Sequence, residues 1–360
     1  MKLKINKAGI LLLLTAFLFT ACGDWTEVEN LTIHSPSIKE QNPDLYAQYV
    51  QSLNEYKSTE HQVMIVSVDN EGALPSLRNQ HLTNLPDSID YICLNNILDV
   101  NAVHISEMII VREWGTKVLG LVDFDAIISQ WKNLLEEEGN AGLPEEAENT
   151  GENAFENEES NTASRFVEYC KSETMKRILA CNGLGVDGIV VKFTGFALNS
   201  LTEENEISAE MIRQAAFFDI VVDWKTKNAD KVLIFSGMPQ NVICKNVLFD
   251  CKYIIVYAHG VKNQYEMSYM VLMTLAEDIP SDRYVIGVST PYLTNSGSYN
   301  GEFSDGSSAI IGAAQWSIVN SSDYIKTGIS IDSAERDYFN ANKIYLNIRE
   351  AINILNPTVK

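Results

Sequence analysis

Ionisable and hydroxyl side chains sit at the carboxyl ends of successive apolar runs in this 360-residue chain. Asp123 and Asp125 follow "TKVLGLV", Lys192 and Thr194 close "GVDGIVVKFTG" (185–195), and Asp332 follows "DYIKTGISI". Tyr257 and His259 fall in "KYIIVYAHG", and Ser289, Thr290 and Tyr292 in "DRYVIGVSTPY". Carboxyl groups in such a set can transfer protons if their pKa lies within reach of neutral pH. Lysine supplies a fixed cation instead, and threonine only a hydroxyl. Tyr257, Tyr292 and, in the loop "TNSGSYNGEFSDGSS", Tyr299 and Phe303 add aromatic faces. Together with Asp69, Asn95, Asn96, Ser236 and Ser330, the set suits a hydroxyl-rich ligand better than an apolar one. Ligand contacts are expected from Asp123, Lys192, Phe193, Thr194, Tyr257, His259, Tyr292 and Tyr299. No residue is assigned a catalytic role.

Eight short runs rich in Val, Ile, Leu, Tyr and Phe must position these groups. They lie at 61–69, 89–96, 116–124, 186–193, 230–237, 252–260, 282–290 and 323–331. Near-continuous apolar runs of this length mark strands buried on both faces, as in a parallel sheet. Helical spacing appears at 43–58, 102–113, 125–138, 163–182, 204–227, 264–277, 307–319 and 333–355. The connections at 70–88 and 238–250 read as irregular. Strands alternating with helices imply right-handed crossovers. Eight strands predict an α/β fold, a single closed (β/α)8 TIM barrel over 41–360, with a doubly wound open sheet as the alternative. The open sheet calls for a Gly-rich phosphate loop after an early strand, and "SVDNEGALP" does not supply one. Residues 136–160 hold ten glutamates and no Lys or Arg, and read as a solvated insertion within the domain.

The formal charge of −21 argues against nucleic acid as a partner. "MKLKINK" and "AGILLLLTAFLFTA" read as the basic and apolar regions of a secretory signal, 1–21. Small residues before Cys22 resemble a bacterial lipoprotein processing site, so Cys22 is expected to carry the lipid and 22–40 to be a tether. Loss of Lys2, Lys4 and Lys7 takes the charge to −24. Cys93, Cys170, Cys181, Cys244 and Cys251 remain and are expected to be small buried hydrophobes. A Cys244–Cys251 or Cys170–Cys181 bridge is the other reading. No C-x-x-C pair and no calcium-loop spacing is present, so neither a metal nor another cofactor is expected. Trp131, Trp224 and Trp316 read as helix-packing residues.

The run "GVDGIVVKFTG" resembles the signature strand of family 18 glycoside hydrolases, the chitinases and endo-β-N-acetylglucosaminidases. Their pattern is Asp-Gly-aliphatic-Asp-aliphatic-Asp-X-Glu. Asp187, Gly188 and Ile189 match its first three positions, whereas the later acids fall on Val190, Lys192 and Thr194. "IIVYAHG" is similar to the family's sixth strand, and "IGVSTPYL" to its seventh. With the lipobox and "ISIDSAERDY", the chain resembles family 18 lipoproteins of Bacteroides-type gut bacteria over roughly 40–356. The resemblance implies substrate-assisted chemistry in active members. A Glu protonates the leaving oxygen, and an Asp orients the N-acetyl group that attacks the anomeric carbon. Thr194 and Lys192 replace both. It therefore implies a catalytically silent barrel that binds N-acetylglucosamine-containing glycans, N-glycans among them, at the outer membrane. Partner glycosidases and a TonB-dependent importer would take the glycan on. A hydrolase with a displaced acid at Asp123, Asp125 or Asp332, and a scaffold that binds no sugar, are the alternatives.

Overall fold

The computed structural model of the protein describes residues 38–70, 72–140, 153–294 and 299–357, with side chains for all of these but 140, 153–162 and 299. The expected leader, Cys22 and the expected tether up to residue 37 lie outside the described residues. Two compact units emerge, Met1–Tyr49 and Val50–Lys360. The described part of the first holds a helical turn, Ile38–Gln41, and the start of helix α1, Pro43–Ser58.

The second unit is a closed barrel of eight parallel strands: β1 Val63–Val68, β2 Tyr91–Leu94, β3 Lys117–Asp123, β4 Gly188–Phe193, β5 Val232–Gly237, β6 Tyr253–Tyr257, β7 Tyr284–Ser289 and β8 Lys326–Asp332. Seven fall within one of the eight apolar runs, and β8 passes the end of the eighth by one residue, Asp332. Closure comes from β1 pairing with β8, for example Met64 with Ile329. Gly328 permits it: its φ is +151°, and a Cβ there would stand 2.0 Å from the Val63 carbonyl.

Alternation along the strands separates two cores. Inside the barrel pack Ile65, Cys93, Leu119, Val190, Ile234, Ile255 and Val285. Outside, Ile189, Val191, Phe193, Leu233 and Phe235 meet the helices. These include α2 Ala102–Glu113, α3 Phe124–Asn140, α4 Asn153–Leu184, α5 Glu204–Lys227, α6 Gln264–Leu272, α7 Ala309–Ser317 and α8 Leu346–Leu355. Trp131, Trp224 and Trp316 are all buried in this layer.

Three expectations are corrected. First, the acidic stretch is not a loop throughout. Helix α3 runs to Asn140, α4 begins at Asn153, and Arg165 Nη2 pairs with Glu138 Oε2 at 2.8 Å. Glutamate is a good helix former, so its abundance does not by itself mark a loop. Second, the single helix expected over 333–355 is broken. A 3₁₀ segment, Ala334–Tyr338, precedes α8, with Ser333 and Tyr345 both at φ 54°. Asp337 then reaches across to accept from Ile348 N at 3.0 Å, satisfying a free amide in the first turn of α8. Third, all five described cysteines are free thiols, but Cys244 is exposed while the other four are buried.

Candidate ligand site at the carboxyl mouth of the barrel

Asp123, Lys192 and Ser236 are register partners on β3, β4 and β5 and so form one layer of the lumen. Above the aliphatic core they open into a cavity of about 260 Å³. Ser67, Asn95, Tyr257, Ser330 and Asp332 complete its polar wall. Ligand sites of (β/α)8 barrels lie at this face.

Lys192 is its electrostatic centre. Its Nζ lies 3.0 Å from Asp123 Oδ2 and 5.7 Å from the Tyr257 ring centroid. Burial alone would lower its pKa; attraction to Tyr257, Asp123 and Asp332 and the hydrogen bond to Asp123 outweigh burial and hold the ammonium above the usual lysine range. Asp123 is further fixed by Ala126 N, which donates to Oδ1 at 3.0 Å. Burial pushes the Tyr257 hydroxyl up, although Lys192 opposes the shift, and the phenol also hydrogen-bonds Ser236. Tyr257 therefore stays a neutral donor or acceptor.

Asp332 accepts from Ser67 Oγ at 3.2 Å. His259 Nε2, sealed from water, lies 3.3 Å from Asp332 Oδ2 without the geometry of a hydrogen bond. The His259 ring stacks on Tyr257 with centroids 4.7 Å apart. Burial pushes the imidazole down, so near pH 7 it is neutral and leaves Asp332 without a second cation.

The other expected residues fall elsewhere. Phe193 makes no ligand wall. With Lys192 facing the lumen, its neighbour must face outward, and Phe193 is 0% exposed among Phe124 and Phe218, at 5.0 and 5.1 Å. Thr194 donates its hydroxyl to Asp125 Oδ1 at 2.9 Å, and neither residue lines the cavity. Burial raises the Asp125 pKa, against the pull of the Thr194 hydrogen bond. Tyr292 is on the rim, its hydroxyl accepting from Asn300 Nδ2 at 2.9 Å. The Tyr299 backbone pairs with Leu293, while its side chain lies outside the described set. Phe303 packs on the helix side of the loop, where a Cβ on Gly312 would meet its ring at 2.2 Å. Asp187, which the sequence resemblance matches to the first acid of the signature, is a strut at the opposite end of β4. Its Oδ2 accepts from Arg112 Nε and Val118 N, both at 2.8 Å.

Several contributors were missed. Ser67 lines the cavity, and the alternation in "VMIVSV" places it on the inner face with Met64's neighbours Val63 and Ile65. Phe196, 51% exposed, and Phe339, 66% exposed, follow β4 and β8. These strands are diametrically opposite in the barrel order; the Phe196 ring lies 5.7 Å from the Arg213 guanidinium and the Phe339 ring packs edge-on against Tyr338. Glu335 is a buried carboxyl beside the carboxyl mouth. It accepts from Asp69 N at 3.3 Å, and burial, followed by the Asp69 charge, raises its pKa to about 7.

A closed parallel barrel with a polar cavity at its carboxyl mouth defines the class: a (β/α)8-barrel protein. The family model "Glycoside hydrolase family 18, BT1044-like" matches residues 26–354, and the chain belongs to that family. Its fold is similar to that of a selenomethionine-labelled Glu-to-Gln variant of BT1044, at 15% identity and TM-score 0.55, covering 89% of this chain and 96% of that one. It is also similar to the apo endo-β-N-acetylglucosaminidase from Cordyceps militaris, at 18% identity and TM-score 0.53, covering 86% and 95%. A doubly substituted form of that enzyme in complex with fucosyl-N-acetylglucosamine-Asn matches with TM-score 0.52, again at 18% identity and covering 86% and 95%. No curated protein matches the chain.

Proposed function

We propose that this protein is a family 18 member that captures N-acetylglucosamine-containing glycans without cleaving them. The observation that carries the reading is the lumen face of β4, where Val190 and Lys192 stand and no carboxyl group does. Hydrolysis needs a proton donor with an accessible pKa, and a threonine hydroxyl has none. An ammonium at Lys192 would also repel the positive charge that develops on an oxazolinium. What remains is a cleft of hydroxyls, one amide, paired charges and the Tyr257 ring, the groups that bind sugar hydroxyls and stack on sugar faces. The choice of sugar rests on the Cordyceps militaris relative, whose name and bound ligand both contain N-acetylglucosamine.

The test is a glycan array, followed by calorimetry, on the soluble chain lacking residues 1–22. Binding of N-acetylglucosamine-terminated glycans supports the reading, and no binding of any glycan rejects it in favour of a scaffold. Tyr257→Ala is expected to weaken that binding roughly tenfold, the usual cost of about 1–2 kcal/mol for a lost stacking contact and hydrogen bond. Unchanged affinity in a folded variant would move the site elsewhere.

Asp125 favours a second reading, hydrolysis by a displaced acid, because a buried carboxyl of raised pKa touches the residue at the family's acid position. Its absence from the cavity wall places it second.

The leader and Cys22 support anchoring at the outer membrane, where captured glycan would pass to glycosidases and an importer. Cys22→Ser is expected to release the protein to the soluble fraction. A Ser variant that stays with membranes in high salt would remove the anchor from the account.

A further inference from the structure

The amino end of the barrel holds a second and larger cavity, of about 740 Å³, within the range of roughly 300–1,000 Å³ usual for small-molecule sites. Its wall includes Lys57, Lys252 and Lys326 together with His61, against the acids Glu60 and Asp90. The carboxyl-mouth cavity has the opposite balance, one lysine against Asp123 and Asp332. In a chain of formal charge −21, three lysines facing one cavity call for an explanation.

Structural duty explains Lys57. Its three N–H groups reach Asp87 O at 2.7 Å, Ile89 O at 2.8 Å and Thr116 Oγ1 at 2.6 Å. Of the two acids, Asp90 is occupied: it accepts from His61 Nε2 at 2.9 Å and from Met64 N at 2.8 Å.

Lys252 and Lys326 differ. Lys252 donates to the Tyr91 hydroxyl at 2.8 Å, between the Tyr91 and Tyr253 rings. Lys326 donates to Trp316 O at 2.8 Å, over the Trp316 ring at 4.0 Å. Each ammonium has three donors and meets one neutral oxygen. Among the described residues neither forms an ion pair with a carboxylate. Tyr91 adds a donor: its oxygen is engaged by Lys252 and hydrogen-bonded to Tyr253, and burial keeps the phenol neutral, with a pKa raised to about 12.

We infer that the amino-end cavity is an oxyanion site, taking a phosphate or sulfate group carried on a small polar molecule, with Lys252, Lys326 and the Tyr91 hydroxyl as donors. The cavity is several times larger than a free ion, so an ester on a sugar-sized body fits it better. Such an anion would supply the negative partner that neither ammonium has. The site is separate from the carboxyl-mouth cleft and independent of the function proposed for it.

Calorimetric titration of the soluble chain with glucose 6-phosphate, inorganic phosphate, inorganic sulfate and glucose tests this. Glucose 6-phosphate is expected to bind, more weakly as salt rises, and glucose is not. Inorganic phosphate or sulfate binding as tightly as the ester would identify the free ion as the ligand of the same site. Lys252→Met and Lys326→Met should each weaken binding roughly tenfold or more, the loss expected for one charge-assisted hydrogen bond. Lys252→Arg should retain it, guarding against a fold defect. Glucose binding as well as its phosphate, no anion binding at all, or full affinity in the folded double methionine variant would each overturn the inference.

Discussion

Lys192→Met is expected to lower stability by about 2–3 kcal/mol, somewhat below the 3–5 kcal/mol typical of breaking a fully buried ion pair. Lys192 and Asp123 remain 29% and 13% exposed, which is why the smaller figure applies. The cost arises on the Asp123 side. Its carboxylate lies within the lumen and loses the ammonium at 3.0 Å, keeping only the Ala126 amide. Adding Asp123→Asn to Lys192→Met should therefore recover most of the loss, as a coupled pair does in a double-mutant cycle. Urea unfolding of the four proteins measures this, and additive losses would show that the pair is uncoupled. The pH dependence follows from the raised pKa of Lys192. Its stabilising contribution is complete below the unfolded lysine value of about 10.4 and is lost only as pH rises through the higher folded value. Alkaline unfolding should thus begin earlier in the methionine variant.

Glu335 gives the second large effect, in the opposite sense. Its folded pKa of about 7 stands well above the unfolded value of about 4.3, so the folded state favours the protonated acid. The stability that Glu335 contributes is complete below about pH 4 and is lost as pH rises through 7. A shift of that size corresponds to about 3 kcal/mol. Glu335→Gln keeps an acceptor for the Asp69 amide and removes the titration. The variant should match the wild type near pH 4 and exceed it by up to about 3 kcal/mol at pH 8. A difference that does not change with pH would show that folding does not raise the Glu335 pKa.

The barrel was legible in the sequence because strands buried on both faces carry near-continuous apolar runs, and each of the eight runs covers a barrel strand to within one residue. The alternation that placed Lys192 in the cleft also excludes Phe193, since adjacent residues of a strand cannot share a face. Phe193 therefore packs among the helices, not in the cleft. Ser67 obeys the same alternation and was legible. The Thr194–Asp125 and His259–Asp332 contacts were not, because they join groups from different strand ends whose loop geometry no local pattern encodes. Nor was the Glu335 environment, which depends on the backbone reversal at Ser333 and on burial against Asp69. Helix α8 was misjudged for the same reason: helical spacing persists through 333–355, but Ser333 and Tyr345 adopt left-handed conformations set by tertiary contacts.

The central claim is capture without cleavage, and one incubation tests it most directly. The soluble chain is mixed with a chitobiose-containing glycopeptide, binding is followed by calorimetry, and released glycan is followed by mass spectrometry. The account predicts saturable binding and no release over hours, because β4 presents Val190 and Lys192 where the family's chemistry needs acids. Release of an N-acetylglucosamine-terminated product, abolished by Asp125→Asn, would contradict it and make Asp125 the acid of a working hydrolase.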